Sequence, residues 1–343
     1  MSVKKLFAFI LVLAMSLSLL AGCAQQTTTT SAATTAAGET TAAGATTAAG
    51  GAKKVVGVMI ADMSAQFQAY IMDGMKREAE KYPNFEFVYV DGKFDSATQM
   101  NQAENFISEG VNALIYIPGD AEASVNLVDK VVAAGIPIIG CNTKVKEMDK
   151  LTTYAGSDTV ESGKILMEGM ARVMGGKGDL IELQGFYGHE PQIERHKGIT
   201  EVIAKYPDMK IIKEDSGEWN RDKAMQKMEN ILQSDLKGKF QGVVCHNDEM
   251  AIGAMKALEA AGMLDQVKVA GIDATPEALK YIKEGKLALT VFQDALGQGA
   301  MAIDLAVKVV NGEKVEKTVM VPYVLVMPED VDKYLAIYDS LKK

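Results

Sequence analysis

The sequence predicts an α/β protein built from two doubly wound parallel-sheet lobes. Three observations carry that prediction. Short runs of β-branched and aromatic residues alternate with longer stretches whose apolar residues recur every three or four positions. The same rhythm restarts after Asp158. Polar planar or aromatic side chains stand just after many of the strand runs, where the loops of a parallel sheet gather around a ligand.

Taken in order, residues 55–60, 85–90, 113–117 and 136–140 read as buried strands, and residues 67–82, 96–110 and 121–134 as the helices between them. Gly110 and Gly135 follow two of these helices at the position where a left-handed residue closes a helix. Strand and helix in alternation put the strands parallel, with helices on both faces of the sheet. The second half offers strands at 179–183, 209–213, 242–246, 267–272 and 288–292. Its helices read at 160–174, 191–206, 221–234, 249–262, 276–284 and 296–311. Gly175, Gly176 and Gly178 follow a helix and read as its cap and turn, and the tail from Pro328 to Lys343 is expected to pack as a helix on the second lobe.

Ahead of these elements lies a different kind of chain. Lys4 and Lys5 precede an apolar run from Leu6 to Leu20, then Ala21, Gly22 and Cys23, the layout of a secretory leader. The run is too short to span a bilayer, which takes about 20 apolar residues. The Leu20-Ala21-Gly22-Cys23 ending resembles the lipobox of bacterial lipoproteins, which implies cleavage before Cys23 and a diacylglycerol on its thiol. Residues 24–52 are almost entirely Thr, Ala, Gly and Gln, with the unit TTAAG repeated three times. With no large apolar side chain to bury, this stretch is expected to be a disordered tether, reaching about 30 Å as a flexible coil.

Composition narrows the function. A net charge of −9 argues against nucleic acid as a partner. Hydrophobic content of 48% and charged content of 24% suit a globular body. With Cys23 committed to lipid, Cys141 and Cys245 are too few for a disulfide framework, and each ends an apolar strand run, where cysteine behaves as a small buried hydrophobe. His189, His196 and His246 show no metal-ligand spacing, so neither a metal nor a cofactor is expected. No catalytic residue is proposed, because the chain lacks a Gly-x-Ser-x-Gly elbow, a phosphate-cradling loop and a His/Cys/Asp constellation.

The candidate binding residues follow strands. Phe67 lies after the first strand, Asn142 and Thr143 after the fourth, and Arg195 on the helix at 191–206. Trp219 follows the strand at 209–213, Asn247 that at 242–246, Asp273 that at 267–272 and Gln293 that at 288–292. Hydroxyl groups both donate and accept, which suits the paired functions of Asn, Gln, Asp and Arg, and an aromatic ring can cover the apolar C–H face of a sugar. Five of these residues also have a plainer reading. Trp219 could be a packing residue, Arg195 a surface partner of Glu190 or Glu194, Asn247 and Gln293 turn residues, and Asp273 or Thr275 a helix cap. Asp248 reads as the cap of the helix at 249–262 and not as a ligand contact.

From Val55 to about Val326 the chain resembles the periplasmic ribose- and galactose-binding protein family. The resemblance is carried by residues 181–185 (IELQG), 193–198 (IERHKG), 246–254 (HNDEMAIGA), 271–277 (GIDATPE) and 285–293 (GKLALTVFQ). It implies a type I binding-protein fold, with lobes joined by three hinge crossings near Ser157, Gln293 and Pro322. The lobes would comprise residues 53–157 with 294–322, and 158–293 with 323–343. It also implies ligand contacts from Phe67, Asn142, Arg195, Trp219, Asn247, Asp273 and Gln293, and places His189 in a setting like that of the glucose/galactose branch.

The chain departs from that family in instructive places. Asn142-Thr143 stands where the ribose branch has Asp-Arg, residues 61–68 lack the ribose binders' Asn-Pro-Phe-Phe pattern, and Pro191 replaces a carboxylate of the glucose branch. An inositol-type cyclitol or another monosaccharide therefore fits as well as ribose or glucose. The function expected is capture of a small polyhydroxylated ligand for an ABC permease by a monomeric, lipid-anchored, extracytoplasmic protein. Presentation of a sugar-like signal to a membrane receptor is the alternative. A sugar-responsive repressor would carry a helix-turn-helix where this chain has its leader.

Overall fold

The computed structural model describes residues 53–339; the leader, Cys23, the tether and the final residues of the tail lie outside them. In the first half of the chain the elements are β1 (Lys54–Ile60), α1 (Gln66–Ala79), β2 (Phe85–Asp91), α2 (Ser96–Glu109), β3 (Ala113–Tyr116), α3 (Ser124–Ala133), β4 (Ile138–Asn142) and β5 (Thr153–Gly156). Next come α4 (Thr159–Met174), β6 (Gly178–Gln184), α5 (Glu190–Ile203), β7 (Met209–Ser216), α6 (Arg221–Leu232), β8 (Gly242–Cys245), α7 (Asp248–Ala260) and β9 (Lys268–Ala270). The chain finishes with α8 (Pro276–Lys283), β10 (Thr290–Phe292), α9 (Ala295–Val310), β11 (Thr318–Met320), β12 (Val324–Val326) and α10 (Val331–Asp339).

These form two parallel sheets. The first runs β11-β5-β4-β3-β1-β2 and the second β7-β6-β8-β9. Strand β10 pairs antiparallel with β12 and joins the second sheet's edge through bridges at Ala270–Leu289 and Asp273–Phe292. The chain passes from first sheet to second after β5, returns after β10, and passes again between β11 and β12. Burial on both faces explains the unbroken apolar runs. Val56, Val58 and Ile60 of β1 face one core cluster, while Met59 faces another across the sheet.

The expected alternation is the one the chain adopts. Three short strands, β5, β11 and β12, were not legible in the sequence. Each has three or four residues and owes its order to pairing with distant segments. The crossings begin under firm caps: Asp158 accepts from the backbone of Val160 and Glu161 to start α4, and Asp294 accepts from Gly297 to start α9. Helices α4 and α5 pack closely enough that a side-chain carbon on Gly163 would lie 2.2 Å from the carbonyl oxygen of Arg195. That contact sets where Arg195 sits. Cys141 and Cys245 are buried and free, and burial pushes the Cys141 thiol up to about 12.

Candidate ligand-binding cleft

The carboxyl ends of the strands of both sheets converge on a cavity with about 100 Å³ of room for water-sized groups. Phe67, Asn142, His189, Arg195, Trp219, Asn247, Asp273 and Gln293, the eight residues singled out from the sequence, all line it. The lining also includes Gln68, Phe94, Thr143, Glu249 and Tyr323. Phe94 could have been found by the signal that marked Phe67, an aromatic in the loop after a strand. Tyr323 carried no signal, because it lies in a crossing between two strands of three residues each.

On the wall from the first sheet, Phe67 occupies the first turn of α1, and Gln68 beside it reaches Asn142 at 3.4 Å. Asn142 ends β4 with φ of 61°, a left-handed conformation that asparagine tolerates better than most residues. Its amide donates to Gln298 at 2.9 Å, and Gln298 donates in turn to Ser157. Asn142 is thus held from behind by α9 and by the start of the first crossing. Phe94, also left-handed at φ 49°, packs edge-on against Phe186 and His189 of the opposite wall.

On the wall from the second sheet, Arg195 is a buried residue and not a surface ion-pair partner. Its guanidinium donates to the backbone carbonyl of His246 and, at 2.8 Å, to the Gln293 side chain at the second crossing. It also lies 5.7 Å from the centre of the Trp219 ring. Trp219 precedes α6 with φ of 61° and packs edge-on against His189. Room for its indole depends on Gly185, where a side-chain carbon would fall 1.9 Å from the ring.

One capping expectation is corrected, and one open choice is decided. Asn247, not Asp248, caps α7, accepting from the Met250 amide at 3.0 Å. Asp248 is the first helical residue, fully buried, and accepts from the Thr275 amide and the Thr290 hydroxyl. Both are short polar residues suited to capping, and only the backbone of the folded chain separates them. Thr275 caps α8, which leaves the Asp273 side chain to the cavity. Asp273 adopts φ of 130° and Ala274 φ of 56°, a strained turn that Asp248 pins through Thr275 and Thr290.

The electrostatics follow from burial. Burial, with Arg195 nearby, pushes His189 down to about 4, so its imidazole is neutral at pH 7. Burial raises Asp273 well above the ordinary carboxylate range, with Arg195 opposing. Burial pushes Asp248 up to about 6 despite its hydrogen bonds.

Among the described residues, the buried side-chain polar atoms without a protein partner include Gln68 Oε1, both ring nitrogens of His189, Arg195 Nε and Trp219 Nε1. All four of those residues line the cavity. The set holds donors, acceptors and a neutral imidazole that does both, in a cavity also lined by Phe67 and Phe94.

Outside the cavity, ligand-type atoms of Glu182, His196 and Glu214 lie within 4.8 Å of one another. Spacing along the chain could not reveal this grouping, since the three residues come from β6, α5 and β7.

A family profile described as a periplasmic binding protein domain matches residues 29–314. A putative rhizopine-binding protein of Rhizobium meliloti is 32% identical over 287 residues, covering 82% of this chain and 92% of that protein. The ribose import binding protein of Salmonella typhimurium is 32% identical over 278 residues, covering 81% and 92%. Among solved structures, an ABC transporter solute-binding protein from Bacillus halodurans with bound myo-inositol superposes with a TM-score of 0.80 at 44% identity. It covers 84% of this chain and 99% of its own.

Proposed function

The chain belongs to the periplasmic binding protein family, and from that premise we propose that it encloses one monosaccharide or cyclitol between two lobes and delivers it to an ABC importer. The observation that carries this reading is the set of unpartnered buried donors and acceptors on Gln68, His189, Arg195 and Trp219, four residues that line a cavity walled in part by aromatic rings. A buried polar atom without a partner costs about 1–3 kcal/mol, and a polyol satisfies such atoms in both senses. Among candidates, a cyclitol is favoured by the bound myo-inositol of the Bacillus halodurans protein. The ribose branch's Asp-Arg pair is replaced here by Asn142-Thr143, which weakens the case for ribose.

The lobes we assign are residues 53–157 with 294–322, and residues 158–293 with 323–343. Phe67 and Asn142 contact ligand from the first lobe, and His189, Arg195, Trp219, Asn247 and Asp273 from the second, with Gln293 at the hinge. Only a closed form makes both sets of contacts, so ligand shifts the hinge equilibrium by its differential affinity. The protein acts by binding and release, as a monomer, without turnover or cofactor. The Leu20-Ala21-Gly22-Cys23 signal supports export and lipid attachment at Cys23, with residues 24–52 as tether.

A thermal-shift screen of residues 53–343 against inositols, pentoses, hexoses and sugar alcohols tests the proposal. A ligand that binds only the folded state raises the melting temperature, increasingly with concentration. The expected result is a rise with myo-inositol or a close relative. No rise with any polyol overturns the reading.

A further inference from the structure

We infer that Glu182, which does not line the cavity, is a positioning residue that holds Arg195 and Trp219 in their binding geometry. The inference rests on the polyol-binding reading of the cleft. Glu182 lies in β6 and is completely buried, on the face of the sheet covered by α5. Its carboxylate meets the Nδ1 of His196 at 3.0 and 3.1 Å and the Nε2 of His246 at 2.7 Å. His196 is the residue after Arg195 on α5. His246 follows β8; its carbonyl receives the Arg195 guanidinium and its ring lies 6.2 Å from that of Trp219. One carboxylate therefore ties the helix that carries Arg195 to the residue that both anchors the guanidinium and backs the indole.

Packing alone does not call for this arrangement. The neighbouring positions of β6, Leu180, Ile181 and Leu183, are apolar and buried. Replacing a buried ionic group by a hydrophobe of similar volume is often neutral or stabilising. A charged network kept at such a position fits a role in geometry. The groups facing it are all within the second half of the chain. Gln184 donates to Glu214 at 3.0 Å, lies 3.1 Å from His196 Nδ1, and accepts from Gln192 at 2.7 Å. Burial opposes the charge on Glu182, but the two imidazoles outweigh it and hold its pKa below the usual value. Glu182, aided by Glu214, raises His196, whereas burial, with Arg195 and His196, lowers His246. The carboxylate of Glu182 thus favours a proton on His196 over one on His246.

The test uses the full chain in detergent and three readouts: calorimetric affinity for myo-inositol, D-ribose, D-allose and xylitol, ligand-free emission of Trp219, and melting temperature. Trp219 is the sole tryptophan, so its emission reports this site alone. Glu182→Gln is expected to lose about tenfold in affinity and to shift the Trp219 emission. His196→Asn, a change at a partly exposed position, is expected to lose about threefold and to shift the Trp219 emission in the same sense. Wild-type affinity and emission in either folded variant overturn the inference. So does a melting temperature of the wild type that rises with Zn²⁺ and falls with EDTA, which makes Glu182, His196 and Glu214 a metal centre instead. If the wild type binds none of the four polyols, the cleft reading fails by itself, and the emission of the two variants still decides the role of Glu182.

Discussion

Asp273 shows how much the cleft asks of one residue. It is buried, it holds a backbone conformation that side chains rarely adopt, and burial raises its pKa well above the usual range. That combination supports our proposal that Asp273 contacts the ligand. Asp273→Ala is expected to weaken polyol binding by about 2 kcal/mol, the value of one hydrogen bond to a charged or strongly polar group. Calorimetry measures it, and unchanged affinity removes Asp273 from the site. His189 makes a prediction about acid. Its folded pKa of about 4 lies below its ordinary 6.5, so below pH 6.5 the unfolded chain takes up a proton that the folded chain refuses. Stability from this residue is present above pH 6.5 and lost as pH falls through 4, on the order of 3 kcal/mol in all. The difference in unfolding free energy between wild type and His189→Phe, followed from pH 7 to pH 4, should shrink over that window. A difference that stays constant contradicts a buried neutral imidazole.

Elements carry these residues, and most are legible in the sequence. Strands buried on both faces wrote themselves as apolar runs, and helices as three- and four-residue periodicity. The candidate site was legible for the same reason, since a parallel sheet gathers its loops at one end and the polar residues there stood out. What was not legible depended on contacts between distant segments: the pairing of β5 with β11, the insertion of Tyr323, and the choice of Asn247 over Asp248 as cap. The close approach of α4 to α5 is of this kind. Gly163→Ala places a carbon against the backbone of Arg195, which must move α5 outward and cost about 1–3 kcal/mol. Urea unfolding should show that loss and calorimetry a matching drop in affinity, because Arg195 rides on the helix that moves. Wild-type stability in this variant contradicts the packing described.

The whole molecule depends on how its two halves meet. Lys144, after β4, lies 3.2 Å from Glu190 and 2.5 Å from Glu194 on α5, so an ion pair spans from the first half to the second beside the cavity. Burial, with Glu194 close by, pushes Glu190 up to about 8 against the opposing pull of Lys144. Lys144→Ala is expected to favour an open form. Its radius of gyration by small-angle scattering should exceed that of the wild type without ligand, and ligand affinity should fall about fivefold, or about 1 kcal/mol. Equal radii and equal affinities contradict a role for this pair in closure.

We propose that the cleft between the halves encloses a polyol, and Trp219 reports on it without any label. Titrating the folded protein with myo-inositol while following the tryptophan emission is the most direct measurement. A saturable change at one ligand per chain, lost in Asp273→Ala, is the result predicted. A folded protein whose emission ignores myo-inositol and every other polyol tried would contradict the claim.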